Sequence, residues 1–431
     1  MPPRRPVRSL LLAETIAIGS ELLVGGRTDS NSLRIAEEFG RLGIGVRFKS
    51  IVGDDRQDIR TAVATAAGRV GVIVLTGGLG PTVDDCTREA ISDATGRRLA
   101  LRKDAFEALK TRLAEWGRVP NAGQRRQALI PDGATVIANP VGSAPGFWMK
   151  WKGALLISLP GVPWEMEAML RDSVAPVLSS ELTRARLRPS PITRLVFHTF
   201  GLPEAEVDAK IKGLVKPSMP VDLGLLASPT GVLVSLTTRP RPVLSGPRLQ
   251  RLADGVRSRL RDQLYAEGLE TMEEVVGRLL TAQHKTVAVA ESCTGGLIGH
   301  RLTQVPGSSA YVDRGVVCYS NQAKTDLLGV PPALIEGHGA VSAEVAAAMA
   351  RGMRERSGVS VALSVTGIAG PGGGTPTKPV GLVYLGLDAE GGPSATREYR
   401  FSGDRMVVKQ RASQAALDLL RRWLLERAEP V

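Results

Sequence analysis

A serine and a lysine in the last third of the chain have the sequence setting of a nucleophile and its general base. Ser292, in AESCTGG (290–296), follows an apolar stretch and stands where a helix begins, so backbone N–H groups surround its hydroxyl. That is the geometry of a nucleophile beside an oxyanion site. Lys324, in YSNQAK (319–324), begins a helix and can act as the base if burial or a neighbouring cation lowers its pKa. Arg314 and the start of that helix are the expected sources of positive potential.

Two other interpretations of these residues stay open from the sequence. In the first, Ser292 is a helix N-cap and Lys324 is a solvated helix residue. In the second, Cys293 is the nucleophile. A cysteine nucleophile needs a base, and the four histidines lie in no motif that would pair one with it: His198, His284, His300 and His338.

Glycine-rich corners between strands and helices mark a second candidate site near the start of the chain. In TGGLGPTVDDCT (76–87) an apolar strand runs into three glycines, and a helix is predicted from about Asp84. Such a loop presents backbone N–H groups at a positive helix end and favours an anion. A tight turn without a ligand is the alternative. The candidate phosphate-binding residues are Gly77, Gly78, Gly80 and Thr82.

Two adjacent carboxylates follow the same loop. Asp84 and Asp85 would repel a bound phosphate unless a divalent cation bridges them. Capping of the helix explains one aspartate better than it explains two. Glu21 and Asp29, from the corner IGSELLVGGRTDSN (18–31), are further candidates for the same pocket. The sequence therefore predicts a metal-assisted phosphate site with Asp84, Asp85 and Glu21 as metal ligands.

The elements that must position these residues fall into three blocks. Strands alternate with amphipathic helices through residues 10–175 and again through 271–431, which is the pattern of a parallel sheet covered on both faces. The Arg/Pro-rich stretches 183–192 and 239–247 frame a small α+β segment between them. We therefore predict an α/β protein with two parallel-sheet domains and a small α+β connecting domain, over residues 1–175, 267–431 and 176–266 respectively.

Composition excludes several classes of protein. Of the 431 residues, 43% are hydrophobic and 23% are charged, which is the balance of a globular chain. No apolar run approaches the roughly 20 residues of a membrane span. Glu14 interrupts the N-terminal apolar run that an export signal would need. The three cysteines are too few and too scattered for a disulfide scaffold. We expect a cytoplasmic protein without a membrane partner.

The chain is basic, with 55 Lys+Arg against 43 Asp+Glu and a net charge of +12. A basic balance suits nucleic acid and phosphorylated small molecules equally well. The aromatic content of 4% leaves few platforms on which single-stranded bases could stack. The middle block is the most basic per residue, so a nucleic-acid contact there is the less favoured alternative.

Motifs in the first block resemble the N-terminal domain of the CinA (competence/damage-inducible) family. They are GSELLVG with DSN, TGGLGPTVDD, NPVGSAPG (139–146) and LPGVPWEM (159–166); the family usually has DTN where this chain has DSN at 29–31. The family domain has the molybdopterin-binding fold of MoaB/MogA proteins. The resemblance implies a pyrophosphatase that cleaves ADP-ribose with Mg, Mn or Co, the glycine loop holding phosphate and Asp84 and Asp85 lying near the metal.

Motifs in the last block resemble the C-terminal CinA domain, the PncC-type nicotinamide-nucleotide amidase. They are AESCTGG, YSNQAK, VPGSS (305–309), GAVS (339–342) and TGIAGPGGGTPTKPVG (366–381). The resemblance implies hydrolysis of nicotinamide mononucleotide to nicotinate mononucleotide and ammonia without a cofactor. By position it makes Ser292 the nucleophile and Lys324 the general base. It assigns supporting or substrate-binding roles to Tyr319, Thr366, Thr294, Gly295, Gly296, Ser308 and Ser309.

The whole chain is thus predicted to be a bifunctional enzyme of pyridine-nucleotide salvage. The middle block resembles the family's KH-like domain, and the resemblance implies a homodimer. Two alternatives belong to other classes of protein. One is a competence or DNA-repair binding protein with degenerate active sites, in contact with nucleic acid or a repair protein. The other is a molybdopterin-binding module without hydrolytic activity.

Overall fold

The computed structural model describes residues 10–392 and 394–427. The charged start of the segment considered as an export signal therefore lies outside the described residues. These residues form two compact units. One contains the chain up to Arg194 with Ser218–Asp222 and Thr237–Gly246, and the other contains Leu195–Pro217, Leu223–Leu236 and the chain from Pro247. In neither described stretch is any helix long and apolar enough to cross a bilayer. The domain boundaries near residues 176 and 266 stay predictions.

The first block alternates strands and helices, as its sequence pattern predicts. Its elements are β1 (Leu12–Ile18), α1 (Asn31–Arg41), β2 (Gly45–Val52), α2 (Arg56–Arg69), β3 (Val72–Thr76), α3 (Thr87–Thr95), β4 (Leu99–Leu101), α4 (Lys103–Glu115), α5 (Ala122–Gln127), β5 (Leu129–Pro131), β6 (Thr135–Ile137), β7 (Gly146–Trp151), β8 (Ala154–Leu159), α6 (Pro163–Met169) and α7 (Ala175–Arg184). Six strands form one sheet in the order β2-β1-β3-β8-β7-β6, and β4 pairs with β5 separately.

The central strands of this sheet are buried on both faces. Ile73 and Leu75 of β3 pack with residues of α2 and α3 in one core, whereas Val72 and Val74 pack with residues of α1, α6 and α7 in the other. Successive side chains of a strand point to opposite faces, so a continuous apolar strand serves two cores at once. This is the doubly covered sheet that the sequence predicts.

Two details of the first block differ from the sequence prediction. The sheet is mixed, because β7 is antiparallel to both β8 and β6. Lys152 and Gly153 join β7 to β8 with φ values of 48° and 79°, and a two-residue turn has no room for the crossover that a parallel pair requires. The helix predicted from about Asp84 begins at Thr87, because the Asp85 carboxylate binds the preceding loop.

The small middle block has the predicted α+β composition. Its elements are β9 (Arg194–Thr199), α8 (Glu204–Ile211), β10 (Val221–Ser228), β11 (Gly231–Thr238), α9 (Gly246–Leu260) and β12 (Leu264–Glu267). The four strands form one sheet in the order β10-β11-β9-β12.

The last block repeats the strand–helix alternation. Its elements are α10 (Met272–Ala282), β13 (Val287–Glu291), α11 (Leu297–Thr303), β14 (Val312–Val317), α12 (Asn321–Leu328), α13 (Pro332–His338), α14 (Ala343–Ser357), β15 (Val361–Gly367), β16 (Leu382–Ala389), β17 (Ala395–Arg400) and α15 (Arg405–Leu425). The sheet order is β14-β13-β15-β16-β17, and only the first three strands are parallel. Helices α10, α11 and α15 pack on one face, and α12, α13 and α14 on the other.

The parallel strands of the last block place the predicted site at one edge of the sheet. Glu291 at the end of β13 pairs with Val317 of β14 and with Val365 of β15. Parallel strands in register end at the same edge, so the segments that follow them meet there. This brings the serine motif, the lysine motif and the glycine-rich loop 368–381 together.

Candidate active site

Ser292 and Lys324 are in contact at this edge. The Nζ atom of Lys324 lies 3.2 Å from Ser292 Oγ, although the residues come from different strand–helix corners. Ser292 is 7% exposed, and its N–H donates to Val365 O at 3.0 Å, which extends the β13–β15 ladder past the strand. Ser320 caps α12 by accepting the Ala323 N–H at 3.0 Å, and this sets the first helical turn that carries Lys324. The sequence prediction that these two residues form one site agrees with this geometry.

Burial makes Lys324 easier to deprotonate than a solvated lysine. The side chain is 1% exposed, and burial lowers its pKa from the ordinary value of 10.5. Nζ donates to Cys318 O at 3.0 Å and to Tyr319 O at 3.3 Å. A neutral amine has two N–H groups, so these carbonyls can take both and leave the nitrogen lone pair for the Ser292 hydroxyl.

Arg314 does not supply the positive potential that the sequence suggested for Lys324. Its side chain is exposed, and its guanidinium is paired with the neighbouring Asp313. Burial, rather than a second cation, is therefore the cause of the lowered pKa of Lys324.

A cavity of about 180 Å³ opens beside the serine–lysine pair. Tyr319 is 58% exposed, and its Oη accepts a hydrogen bond from Arg405 Nη2 at 2.8 Å. Thr366 is buried and donates its hydroxyl to Ala340 O at 2.7 Å. Both predicted supporting residues thus border the cavity. Its lining residues are Ser292, Cys293, Tyr319, Asn321, Lys324, Ala340, Val341, Thr366, Gly367 and Ala369.

The structure separates some predicted residues from this cavity. Ser308 and Ser309 lie in a short 3-10 helix between α11 and β14 and are not among its lining residues. Cys293 does line it, but burial raises the pKa of its thiol to about 12, so the nucleophilic thiolate is scarce at neutral pH. No histidine is among the lining residues either. The pairing of Ser292 with Lys324 is the arrangement that remains.

Glu291 is a site residue that the sequence analysis missed. Its buried carboxylate accepts N–H groups from Gly296 at 2.9 Å, Ile298 at 3.1 Å and Gly299 at 2.8 Å. The Gly295 N–H is donated to Ser292 O at 3.1 Å. The N–H groups of Gly295 and Gly296 are therefore engaged within the protein. The Thr294 N–H is the remaining candidate in this turn for a donor to an oxyanion. An acidic residue just before a helix-opening glycine turn was the available signal.

Replacing this carboxylate should destabilise the turn that carries Ser292. We expect Glu291→Gln to lower the free energy of unfolding by about 2–3 kcal/mol, because the glutamine NH₂ group would face N–H donors in place of an acceptor. Denaturant unfolding of the full chain measures this. Glu355→Gln, at an exposed position of α14, is the matched control and should change stability little. Equal stability of the two variants would contradict the role given to Glu291.

Two basic residues of α15 also lie near the site, and the sequence analysis did not predict them. Arg405 donates to Tyr319 Oη and, through Nη1, to Gly370 O at 2.7 Å, so it connects the tyrosine to the glycine-rich loop. Lys409 lies one turn further along the helix. Its Nζ is 3.6 Å from the position that a Cβ atom on Gly295 would occupy. Cations near a helix N-terminus are unfavourable, and this was the signal available in the sequence.

The glycine loop of the first block is organised by one of its two aspartates. The Asp85 carboxylate accepts the Gly80 N–H at 2.7 Å, the Thr82 N–H at 2.9 Å and the Thr82 hydroxyl at 2.5 Å. Gly77 and Gly78 have φ values of 107° and 63°, a region that favours glycine. The loop therefore has the predicted shape, but two of its N–H groups are donated to Asp85.

The carboxylates proposed as metal ligands do not form a cluster. Asp84 and Glu21 are exposed, and Asp85 is directed into the loop. Over residues 10–392 and 394–427, no three His, Cys, Asp or Glu side chains lie close enough together to hold a metal ion. These residues do not make a metal site by themselves, so the metal requirement stays a prediction.

Family models match three consecutive parts of the chain. Residues 14–180 match a probable molybdopterin binding domain, residues 194–266 match the damage-inducible protein CinA KH domain, and residues 269–424 match the CinA C-terminal domain. The predicted fold class, with a KH-like domain between two α/β domains, is confirmed, apart from the antiparallel strands described above.

Relatives match this chain over nearly the whole length of both proteins. The CinA-like protein of Geotalea uraniireducens is 42% identical over 95% of this chain and 97% of its own length. The CinA-like protein of Geobacter sulfurreducens is 42% identical over 95% and 98%. Among solved structures, the competence/damage inducible protein CihA from Agrobacterium tumefaciens is 43% identical, covers 36% of this chain and 97% of its own, and has a TM-score of 0.35. MoaB from Thermus thermophilus is 22% identical, with coverages of 40% and 94% and a TM-score of 0.29.

Proposed function

The chain belongs to the CinA family, and from this premise we propose that its last block hydrolyses nicotinamide mononucleotide to nicotinate mononucleotide and ammonia. The observation that carries the proposal is the 3.2 Å contact between Lys324 Nζ and Ser292 Oγ beside a cavity. A buried amine with a lowered pKa next to a serine hydroxyl is a general base beside a nucleophile. The reaction needs no cofactor.

The first half of the proposed reaction releases ammonia. Neutral Lys324 takes the proton of the Ser292 hydroxyl as Oγ attacks the carboxamide carbon, which gives a tetrahedral oxyanion. The Thr294 N–H is the candidate donor to that oxyanion. Lys324 then gives its proton to the departing nitrogen, the C–N bond breaks, and ammonia leaves. Ser292 is left esterified by the nicotinoyl group.

The second half restores the enzyme. A water molecule attacks the ester carbon while Lys324 accepts one of its protons. Collapse of the second tetrahedral intermediate breaks the bond to Ser292 Oγ, and Lys324 returns the proton to the serine. One water is consumed for each ammonia and each nicotinate mononucleotide formed, so the atoms balance.

Direct assay of the full chain tests the proposal. Incubation with nicotinamide mononucleotide in the presence of a chelator should release ammonia and nicotinate mononucleotide in equal amounts, as followed by an ammonia-coupled assay and by chromatography. Absence of both products would contradict the proposal. If the same preparation also bound DNA with a strong dependence on salt, the alternative of a competence or repair binding protein would be favoured.

A second proposal concerns the glycine loop of the first block, which we infer cleaves ADP-ribose. It is supported by the loops that follow β1, β3 and β8 at one edge of the sheet, where α/β proteins bind ligands. A Cβ atom on Gly77 would lie 2.2 Å from Ile18 O, so this close approach requires glycine. Asn31 donates to Gly161 O at 2.8 Å, and its buried Oδ1 has no partner among the described residues. That free acceptor lies at the same edge.

Substitutions of the two aspartates of this loop should have different effects on ADP-ribose cleavage. We expect Asp85→Asn to lower kcat/KM for ADP-ribose at least about tenfold, because the new amide NH₂ would face the N–H groups of Gly80 and Thr82. Asp84→Asn is the neighbouring comparison. If Asp84 holds the cation, that variant should need a higher concentration of metal for the same rate.

Chelation completes this test. A chelator should stop ADP-ribose cleavage and leave ammonia release unchanged, and equal inhibition of both would contradict the division between the blocks. Tight molybdopterin binding without any cleavage of ADP-ribose would favour the pterin-binding alternative. Homodimerisation and a cytoplasmic location stay predictions.

A further inference from the structure

Three basic side chains near the Ser292 cavity already donate to protein acceptors. Lys324 donates to the carbonyls that follow β14. Lys378 donates to His338 O at 2.6 Å and to Val341 O at 2.8 Å. Arg405 donates to Gly370 O and Tyr319 Oη. These contacts hold the walls of the site in place, so none of the three side chains is free to receive a charged substrate group.

Lys409 differs from these three. Its side chain is half-buried over the turn that follows Ser292, with Nζ 3.6 Å from the site of a Cβ on Gly295. Among the described residues, no carboxylate pairs with it. The nearest buried carboxylate on that turn, Glu291, is engaged with three N–H groups. A cation without a counter-ion beside a nucleophile is a place for an anionic part of the substrate.

The acidic residue at the start of α15 is also engaged elsewhere. Asp404 caps the helix by accepting the Val407 N–H at 2.9 Å. Lys409 lies in the next turn of α15, and among the described residues no ion pair joins it to Asp404.

The size of the cavity decides which part of the substrate would meet Lys409. At about 180 Å³ the cavity is smaller than the ~300–1,000 Å³ typical of sites for whole small molecules. It can hold the nicotinamide ring beside Ser292, and the ribose and its phosphate would then lie outside it. Lys409 does not line the cavity but lies beside Gly295 of the 292–296 turn, so it is the cation among the described residues that could meet that phosphate.

We propose that Lys409 binds the 5′-phosphate of the substrate and thereby makes the site specific for a nucleotide over the corresponding nucleoside. This proposal rests on the proposed amidase function. It assigns Lys409 a substrate-binding role separate from proton transfer, so removing it should weaken binding of the phosphate-bearing substrate while the chemistry at Ser292 continues.

A comparison of two substrates tests the proposal. Nicotinamide mononucleotide and nicotinamide riboside share the ring and the carboxamide, and only the first carries phosphate. We expect Lys409→Met to lower kcat/KM for the mononucleotide by about 10- to 100-fold, mainly through KM, which is the range for loss of one charge-assisted hydrogen bond. The riboside should react at the unchanged, lower rate. Lys409→Arg should keep most of the discrimination, because it keeps the cation.

Two controls separate this role from general effects. Arg411→Met removes one positive charge from the same helix, but Arg411 bonds Ser402 Oγ at 3.1 Å and is not at the Gly295 turn, so neither substrate should be affected. Equal losses for the mononucleotide and the riboside in Lys409→Met, or unchanged kinetics for both, would overturn the proposal.

Binding without turnover distinguishes failure of this proposal from failure of the amidase function. Calorimetry with Ser292→Ala should show mononucleotide binding that weakens when Lys409→Met is added, whereas riboside binding should not change. If the wild-type chain releases no ammonia from either substrate, the amidase function fails, and this binding experiment still decides on Lys409. Identical mononucleotide affinity with and without Lys409 would reject its role.

Discussion

Ser292→Ala should abolish ammonia release from nicotinamide mononucleotide. The Ser292 hydroxyl is the group that lies 3.2 Å from Lys324 Nζ, and without it no ester can form. Loss of the nucleophile in a serine hydrolase costs on the order of 10⁶-fold in kcat, so the residual rate should be undetectable in an ammonia-coupled assay. ADP-ribose cleavage in the same preparation should be unchanged, because its site lies in the other block.

Cys293→Ala is the matched control for this variant. Cys293 borders the same cavity, but the raised pKa of its buried thiol, about 12, keeps it protonated at neutral pH. We expect that variant to keep most of its amidase activity. Comparable ammonia release from Ser292→Ala and the wild type would remove Ser292 from the mechanism, and loss of activity only in Cys293→Ala would assign the nucleophile to the thiol.

Lys324→Arg should be nearly inactive although it conserves the charge. A guanidinium does not lose its proton in the working pH range, so it cannot take the proton of Ser292. General-base catalysis contributes about 10²–10⁴-fold, and kcat should fall by that order. Lys324→Met should fail in the same way. Lys324→Arg turning over at close to the wild-type rate would show that the residue acts as a cation, with Tyr319 the next candidate for the base.

The pH dependence of the wild-type enzyme follows from the lowered pKa of Lys324. The neutral amine is the form that the proposed mechanism uses, so kcat/KM should rise with pH and level off once pH exceeds that pKa, which is lower than the ordinary value of 10.5. A rise of kcat/KM that occurs only near pH 10.5 would show that burial does not lower the pKa of Lys324.

Stability should depend on pH in the same region. Folded Lys324 loses its proton at a lower pH than it does in the unfolded chain, so between these two pKa values the unfolded state binds more protons. The free energy of unfolding should therefore rise with pH across that interval, through the contribution of this residue. Lys324→Met should lack the rise, and denaturant unfolding of both proteins at several pH values measures the difference.

Much of the fold could be predicted from the sequence because it depends on local patterns. Helices α12 and α14 each begin after a capping serine, Ser320 or Ser342, and end before a glycine, Gly329 or Gly358, and these are signals that the sequence itself displays. The glycine corners were recognisable because Gly77 and Gly78 need backbone angles that other residues rarely adopt. Even the proximity of Ser292 and Lys324 could be anticipated, since both follow strands of one predicted parallel sheet.

The direction in which neighbouring strands run could not be predicted from these local patterns. The β7–β8 and β15–β16 pairs both lie in blocks for which the sequence predicts a parallel sheet, yet each pair is antiparallel. The direction depends on whether the connection can cross over the sheet, and a two-residue turn or a helix-free loop cannot. The position of Ser308 and Ser309, outside the cavity, likewise depends on how the chain folds back after α11.

The sequence by itself determined which residues could do chemistry here, because residue type and local backbone shape are properties of short segments. Only the tertiary structure decided their state. The pKa of Lys324 is lowered because the packing around it removes water from an amine, and its partner Ser292 is 32 residues away. Asp85 and Glu291 are committed to backbone N–H groups, which only the folded loops bring within reach. Lys409 meets the Gly295 turn because α15 packs on the same face of the sheet as α11, the helix that follows that turn, although the two helices are far apart in sequence.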